Sequence, residues 1–181
     1  MSETLTIIGP SGSTAAVSSN ALNVLMKSDF QKAVEDGDAY SWSSLTYDPD
    51  AHDTILAVEN NSATRDLYIQ EIHIQTDAAG QHVVFTASGD TMTGTAVTGT
   101  NLNRNSSNAA PATAKCDETN NAEQGATYPT RFYTGLLAND GSICYTVNGS
   151  IILPNDHHIA VDLTSAATAA NVTIIGYFKD R

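Results

Sequence analysis

Two adjacent histidines, His157 and His158, are the first residues that invite a metal-binding interpretation. Imidazole nitrogen is a frequent zinc ligand, and a strand can offer two such ligands to one ion when both side chains lie on one face. Neighbouring residues of a strand point to opposite faces. The pair therefore cannot share a metal ion on a strand, and we expect it to hydrogen-bond locally.

An acidic turn offers a second candidate, because Asp48, Asp50 and Glu59 fall at the first, third and twelfth positions of a calcium loop. Asp53 occupies the position at which the sharp turn of an EF-hand requires glycine, and residues 54–59 have the pattern of a strand. The sequence excludes an EF-hand and leaves a calcium ion on the acidic turn as an alternative.

Motifs of catalytic chemistry are absent: the sequence has no G-x-S-x-G, H-E-x-x-H or P-loop motif, and no G-x-G-x-x-G that opens a helix. Cys116 and Cys144 lack the C-x-x-C spacing of metal and redox sites, and we expect two free thiols. Acidic pairs such as Glu35 and Asp38 do not indicate a glycosidase, because that chemistry depends on the distance between the two carboxyl groups in space. We predict no catalytic residue, no metal and no cofactor.

The composition excludes several classes of protein. The 181 residues fit one domain, and the net charge of -12 with only 8 basic residues argues against nucleic acid as a partner. No run is long and apolar enough for a membrane span or a signal peptide, so we expect no membrane partner. Charged residues make up only 15%, and small polar residues take their place.

From residue 40 onward the apolar residues recur with a period of two, which indicates strands. The predicted strands are AYSWSSLTY, TILAVE, DLYIQEIHIQ, HVVFTAS, ICYTV, SIIL, HIAVDL and NVTIIGYF. Eight short strands with one long excursion predict an all-β fold, an antiparallel β-sandwich of the jelly-roll type. An immunoglobulin-like sandwich is the main alternative.

Three strands carry further detail. HIAVDL alternates, so we expect one wet face with His158, Ala160 and Asp162. In DLYIQEIHIQ the apolar phase shifts across Gln70 and Glu71, which predicts a bulge or a bend between sheets. The last strand is apolar on both faces, so it is central or its outer face meets another chain.

Residues 1–39 form an extended N-terminal arm with a short helix, followed by the sandwich domain at 40–181. Leu22 and Phe30 belong to an apolar helical face, and Ser28 with Gln31 suits a capping box that divides the helix. The arm packs on its own domain or reaches a neighbouring subunit; both interpretations stay open.

The polar excursion, residues 89–130, has almost no large apolar side chain. Its first part, TGTAVTGT, suits a threonine-rich hairpin, and PATAKCDET suits a further strand. A segment that buries so little is ordered only if it hydrogen-bonds within the chain or lies on a partner.

Three runs, residues 53–77, 93–119 and 148–178, together resemble small virion proteins of tailed bacteriophages. The similarity extends over roughly 40–178 and lies in sequence texture, without a diagnostic motif. It implies a β-sandwich component of the particle, either a head decoration or cement protein or an element of tails and fibres. It also implies a structural role, usually in threefold assemblies.

The expected function is therefore that of a capsid decoration protein on the virion surface. Its partners are the major capsid protein and further copies of itself, as a homotrimer. The candidate contact residues are Arg104, Arg131, Leu22 and Phe30, because isolated cations and an apolar arm suit a subunit interface.

Two other functions remain as alternatives. A tail or fibre module that binds a host surface glycan would use exposed aromatic residues, for which Trp42, Tyr128 and Tyr133 are candidates. An enzyme that acts on carbohydrate is the third interpretation, and it needs clustered carboxylates in a pocket.

Overall fold

The computed structural model describes residues 27–89, 92–116 and 130–181, together with the backbone of 16–18 and 21–23. One helix and thirteen strands lie in these residues. In chain order they are β1 (Ala16–Ser18), β2 (Ala21–Asn23), α1 (Asp29–Asp36), β3 (Ala39–Ser43), β4 (Asp53–Asn60), β5 (Arg65–Thr76), β6 (Gly80–Ser88), β7 (Thr95–Ala96), β8 (Thr100–Asn101), β9 (Ala112–Cys116), β10 (Thr130–Leu137), β11 (Gly141–Leu153), β12 (His157–Leu163) and β13 (Ala170–Asp180).

Two antiparallel sheets pack face to face. The six-stranded sheet has the order β10-β6-β12-β4-β9-β7, and the five-stranded sheet has the order β11-β5-β13-β3-β8. Among the described residues, β1 and β2 pair with each other and with no other strand. The predicted all-β class and the antiparallel sandwich are confirmed.

The core lies between the two sheets. Tyr40, Trp42 and Phe178 come from the five-stranded sheet and meet apolar side chains such as Leu56 and Val161 from the six-stranded sheet. Each such side chain contributes about 1.5–3 kcal/mol when it leaves water. The period of two places these residues on the inner faces.

The prediction of a wet face on β12 is wrong. His158, Ala160 and Asp162 are as buried as the residues between them. Ala160 belongs to a second apolar cluster with Phe85 and Met92, on the outer face of the six-stranded sheet. The alternation of polar and apolar residues therefore shows which residues share a face of this strand, but it does not show whether that face is exposed to water.

The predicted phase shift in β5 is confirmed as a bulge. Ile69 and Glu71 pair with consecutive residues of β13, so Gln70 is the extra residue. The partner strand β11 is irregular at the same level, and the predicted strands ICYTV and SIIL are parts of this one long strand. The last strand, β13, is central, between β3 and β5.

Helix α1 is shorter than the apolar pattern suggests. Ser28 and Gln31 form the predicted capping box, and Gly37 ends the helix with a positive φ of 78°. The helical assignment of Leu22 is wrong, because Ala21–Asn23 forms β2. Phe30 packs on Tyr177 of β13, with ring centroids 5.8 Å apart, so this part of the arm packs on its own domain.

The polar excursion extends both sheets along one side of the sandwich, which we call the closed side. The predicted strand after Pro111 is confirmed as β9, which pairs with β4, while β7 pairs with β9. The predicted hairpin is wrong, because β8 pairs with β3 of the other sheet. The chain thus crosses from one sheet to the other between β7 and β8, and its described part is ordered by pairing with its own sheets.

Asparagine side chains of the polar excursion bind the carboxyl end of α1. Asn101 donates to the carbonyl oxygen of Gly37 at 2.8 Å, and Asn103 donates to that of Glu35 at 2.9 Å. Asn108 lies 3.4 Å from the same Gly37 oxygen. The last carbonyl groups of a helix have no partners within the helix, and these amides supply them. This accounts for asparagine in a segment with little to bury.

Replacing Asn101 tests this role. The change Asn101→Ala removes the bond to Gly37 and the bond that its side-chain oxygen accepts from the Asn103 amide at 2.9 Å. We expect the free energy of unfolding in urea to fall by about 1–3 kcal/mol. Asn105→Ala is the matched control, because that side chain is exposed and makes no described contact; equal losses in both variants would contradict the capping role.

Candidate functional site

The side of the sandwich opposite the polar excursion, which we call the open side, consists of the edge strands β10 and β11. The closed side ends in the two-residue strands β7 and β8, whereas β10 has 8 residues and β11 has 13. Among the described residues, no strand pairs with the outer edge of β10 or β11. Long unpaired edges are templates for pairing with another chain, and proteins usually protect them.

The usual protection by charge is missing on the open side. β11 contains no charged residue, and Arg131 is the one charged residue of β10, in a chain with a net charge of -12. Three large apolar side chains on these strands are exposed to water: Leu136 by 82%, Phe132 by 43% and Ile152 by 48%. The open side is therefore a partly apolar surface whose two strands carry one charged residue, Arg131, on an acidic protein.

Aromatic packing joins the two edge strands of the open side. Tyr133 of β10 and Tyr145 of β11 stack with ring centroids 4.2 Å apart and an angle of 14° between the planes. The Tyr145 hydroxyl lies 2.7 Å from Nε2 of the buried His82 on β6. Gly135 lets β10 pass over this cluster, because a Cβ there would lie 2.7 Å from the His82 ring.

Burial governs the ionisation of this cluster. It lowers the pKa of His82 below the usual value of 6.5, because the charged imidazolium loses its hydration. Burial, and then the neighbouring Tyr133, raise the pKa of the Tyr145 hydroxyl above the usual 10.0. Both groups are therefore neutral at neutral pH, so the cluster adds no charge to the open side.

The four candidate contact residues are not brought together. Arg131 is exposed on β10 of the open side, whereas Arg104 is exposed in the loop beside the carboxyl end of α1. Phe30 is half-buried against Tyr177. Leu22 lies in β2, of which only the backbone is described.

The metal candidates of the sequence do not converge either. His157 contacts the carbonyl oxygen of Asn155 at 3.1 Å, while His158 is buried in the sheet, so the two neighbours lie apart as expected. Glu59 lies near the far end of β4, about 20 Å along the strand from the acidic turn that contains Asp48 and Asp50. Those three carboxylates cannot share one calcium ion.

The aromatic residues proposed for glycan stacking give no such platform in the described chain. The interpretation of Trp42 as an exposed residue is wrong, because its side chain is fully buried in the core. Tyr133 stacks on Tyr145, which occupies one face of its ring. Tyr128 lies outside the described residues.

Sequence reasoning missed the exposed residues Phe132, Leu136 and Ile152. Ile152 belongs to the predicted strand SIIL, whereas Phe132 and Leu136 belong to β10, which is not among the predicted strands. Strand order then decides whether such a segment is central or at an edge. One signal was available: residues 141–153 form a strand of unusual length without any charge. Edge strands normally carry charges, so an uncharged edge points to a covered one.

Comparisons with known proteins found no match to this chain among family models, curated proteins or solved structures. Within the described residues, no helix combines the length and the apolar character that a membrane crossing needs. The inference of function therefore depends on the open side and its chemistry.

The lowered pKa of His82 predicts a pH-dependent stability. His82 binds its proton at a higher pH in the unfolded chain than in the folded chain. Its neutral form therefore contributes fully to the free energy of unfolding above pH 6.5, and this contribution falls as the pH drops from 6.5 towards the folded pKa. His82→Gln should flatten this decline, which has a slope of at most about 1.4 kcal/mol per pH unit.

Urea unfolding of both proteins between about pH 7.5 and pH 5 measures the difference. His73→Gln is the matched control for the exchange of histidine for glutamine, because His73 is exposed on the other sheet. A parent and a His82→Gln variant with the same pH dependence would show that the buried imidazole is not the source.

Proposed function

We propose that this chain is a structural protein of a virion, a capsid decoration or cement protein that forms a homotrimer and binds across neighbouring major capsid protein subunits on the capsid surface. The observation that carries the proposal is the open side, where two long edge strands have no partner strand among the described residues and hold one charged residue between them. Such a surface suits permanent contact with protein, because the cores of protein interfaces are depleted in charged residues.

We propose further that the sandwich is of the jelly-roll type. The strand pairing supports this assignment: β6 pairs with β10, β5 with β11, β4 with β12 and β3 with β13. These four pairs are nested in the sequence, like one long antiparallel ribbon folded into two sheets. Double-sheet jelly rolls of eight strands form viral capsid domains, and also lectins and cupins.

Association through the open side avoids the repulsion that the acidic surface imposes elsewhere. Two copies that meet through charged faces repel each other, whereas contact through β10 and β11 brings one charged residue, Arg131, from each copy. The two edges differ, so the β10 edge of one copy can face the β11 edge of the next. A contact between two different surfaces gives a closed ring when the rotation from one copy to the next divides the full circle evenly. A rotation of one third of the circle gives the proposed trimer.

A trimer held through its open sides turns its closed sides outward. The loop with Arg104 follows β8 on that outer surface, where it is available to shell subunits. The Arg104 guanidinium can donate two parallel hydrogen bonds to a carboxylate of the capsid protein. In this arrangement Arg131 serves contact between copies and Arg104 serves contact with the capsid.

Charge on the open side should break the trimer. We expect Leu136→Glu to weaken self-association by at least about tenfold, because the exposed leucine becomes a desolvated carboxylate in the interface. Light scattering coupled to size-exclusion chromatography measures the mass of the purified chain and of the variant over a range of concentrations.

Leu45→Glu provides the matched control, because Leu45 is exposed by 71% but follows β3, away from β10 and β11. This variant should keep the mass of the parent. A parent chain that is monomeric at every concentration, or a trimer that survives Leu136→Glu unchanged, contradicts association through the open side.

Imaging of particles tests the capsid role itself. Electron cryo-microscopy should detect the chain as threefold density on the outer surface of the head, absent from particles made without it. Particles that lack the chain should release their genome at a lower temperature. Density on the tail, or unchanged heads with and without the chain, would assign another place in the virion.

A further inference from the structure

Three side chains of the types that bind zinc converge on the outer face of the five-stranded sheet. Glu71 and His73 lie two residues apart on β5 and share that face, and Cys144 on β11 lies directly opposite His73 in the register of the two strands. Their ligand atoms all lie within 4.8 Å of one another, and this is the one such group in the described chain.

The distances match those of a tetrahedral zinc site. With ordinary zinc bond lengths, a thiolate sulfur and an imidazole nitrogen are separated by about 3.6 Å, and an imidazole nitrogen and a carboxylate oxygen by about 3.4 Å. The observed distances are 3.6 Å from Cys144 Sγ to His73 Nε2 and 3.0 Å from Glu71 Oε2 to His73 Nε2. Small rotations of these exposed side chains bring all three atoms onto one ion.

The convergence on a single nitrogen distinguishes this group from a catalytic triad. A triad needs one ring nitrogen on the nucleophile and the other on the carboxylate. Here both Cys144 and Glu71 approach Nε2 of His73. That nitrogen carries at most one hydrogen, so it can donate a hydrogen bond to either Glu71 or Cys144 but not to both. A metal ion between the three atoms can bind all of them.

The sheet holds the three ligands in position. Ile72 and Ile74, which flank His73, are buried in the core, and β13 pairs with the other edge of β5. Strands fixed on both sides keep the relative positions of their side chains. The ligand face itself is open, since His73 and Cys144 are exposed.

We propose that Glu71, His73 and Cys144 form a zinc-binding site, with water as the fourth ligand. A thiolate together with an imidazole selects zinc or a similar transition metal over calcium and magnesium, which require oxygen ligands. The inference is independent of the proposed function, because it depends only on these three side chains. It adds a metal centre that the sequence pattern does not predict.

Cobalt and zinc titrations of the purified, untagged, chelator-treated chain test the site. Co²⁺ should give a thiolate-to-metal absorption band in the near ultraviolet and visible bands of tetrahedral intensity, and Zn²⁺ should displace it. Calorimetry should give one Zn²⁺ per chain. Cys144→Ser and His73→Ala should weaken binding by at least about 100-fold, the upper end of the loss caused by removing an outer-shell partner of a ligand.

Two variants serve as controls. Cys116→Ser removes the other thiol, which is buried and contacts Tyr47, and Ser142→Ala changes the same strand two residues from Cys144; both should bind Zn²⁺ like the parent. A second readout needs no titration: Zn²⁺ should slow the alkylation of Cys144. The proposal is overturned if the chain binds no Zn²⁺, if the thiolate band is missing, or if Cys144→Ser binds as tightly as the parent.

Discussion

The unpaired backbone at the edges of an open β-sheet is the constraint on which this structure depends. Every edge presents donors and acceptors that need a partner, and two stacked sheets have four such edges. The polar excursion covers two of them with its own strands, so the two-residue strands β7 and β8 form the edges of the sheets on the closed side. It leaves β10 and β11 long and partly apolar, with Arg131 as their one charged residue. β10 and β11 themselves hold no acidic residue, and the capped helix packs on β3 and β13.

Local signals in the sequence predicted the elements well, because their causes are local. The period of two marks seven of the eight strands in the nested pairs and misses β10, and the phase shift at Gln70 marks a bulge that both neighbouring strands share. Ser28, Gln31 and Gly37 fix the two ends of α1 through contacts within a few residues. The early part of the predicted helix failed, since its apolar spacing suited a helix while Ala21–Asn23 pairs with Ala16–Ser18 instead.

Properties that depend on strand order were not accessible from the sequence. The outer face of β12 is buried because residues from other parts of the chain, such as Phe85 and Met92, pack there. The excursion is held by strands far from it in sequence, and its asparagines bind a helix end more than sixty residues earlier. Neither the open side nor the cluster of Glu71, His73 and Cys144 forms a motif, because each is assembled across neighbouring strands.

Hydrogen exchange of backbone amides, followed over a range of protein concentrations, is the most direct measurement of the division into a closed and an open side. If copies of the chain cover the open side, protection in β10 and β11 rises with concentration. Protection in β8 and β9 stays constant, because their partners belong to the same chain. Exchange in β10 and β11 that is equally fast at every concentration would contradict association through these edges.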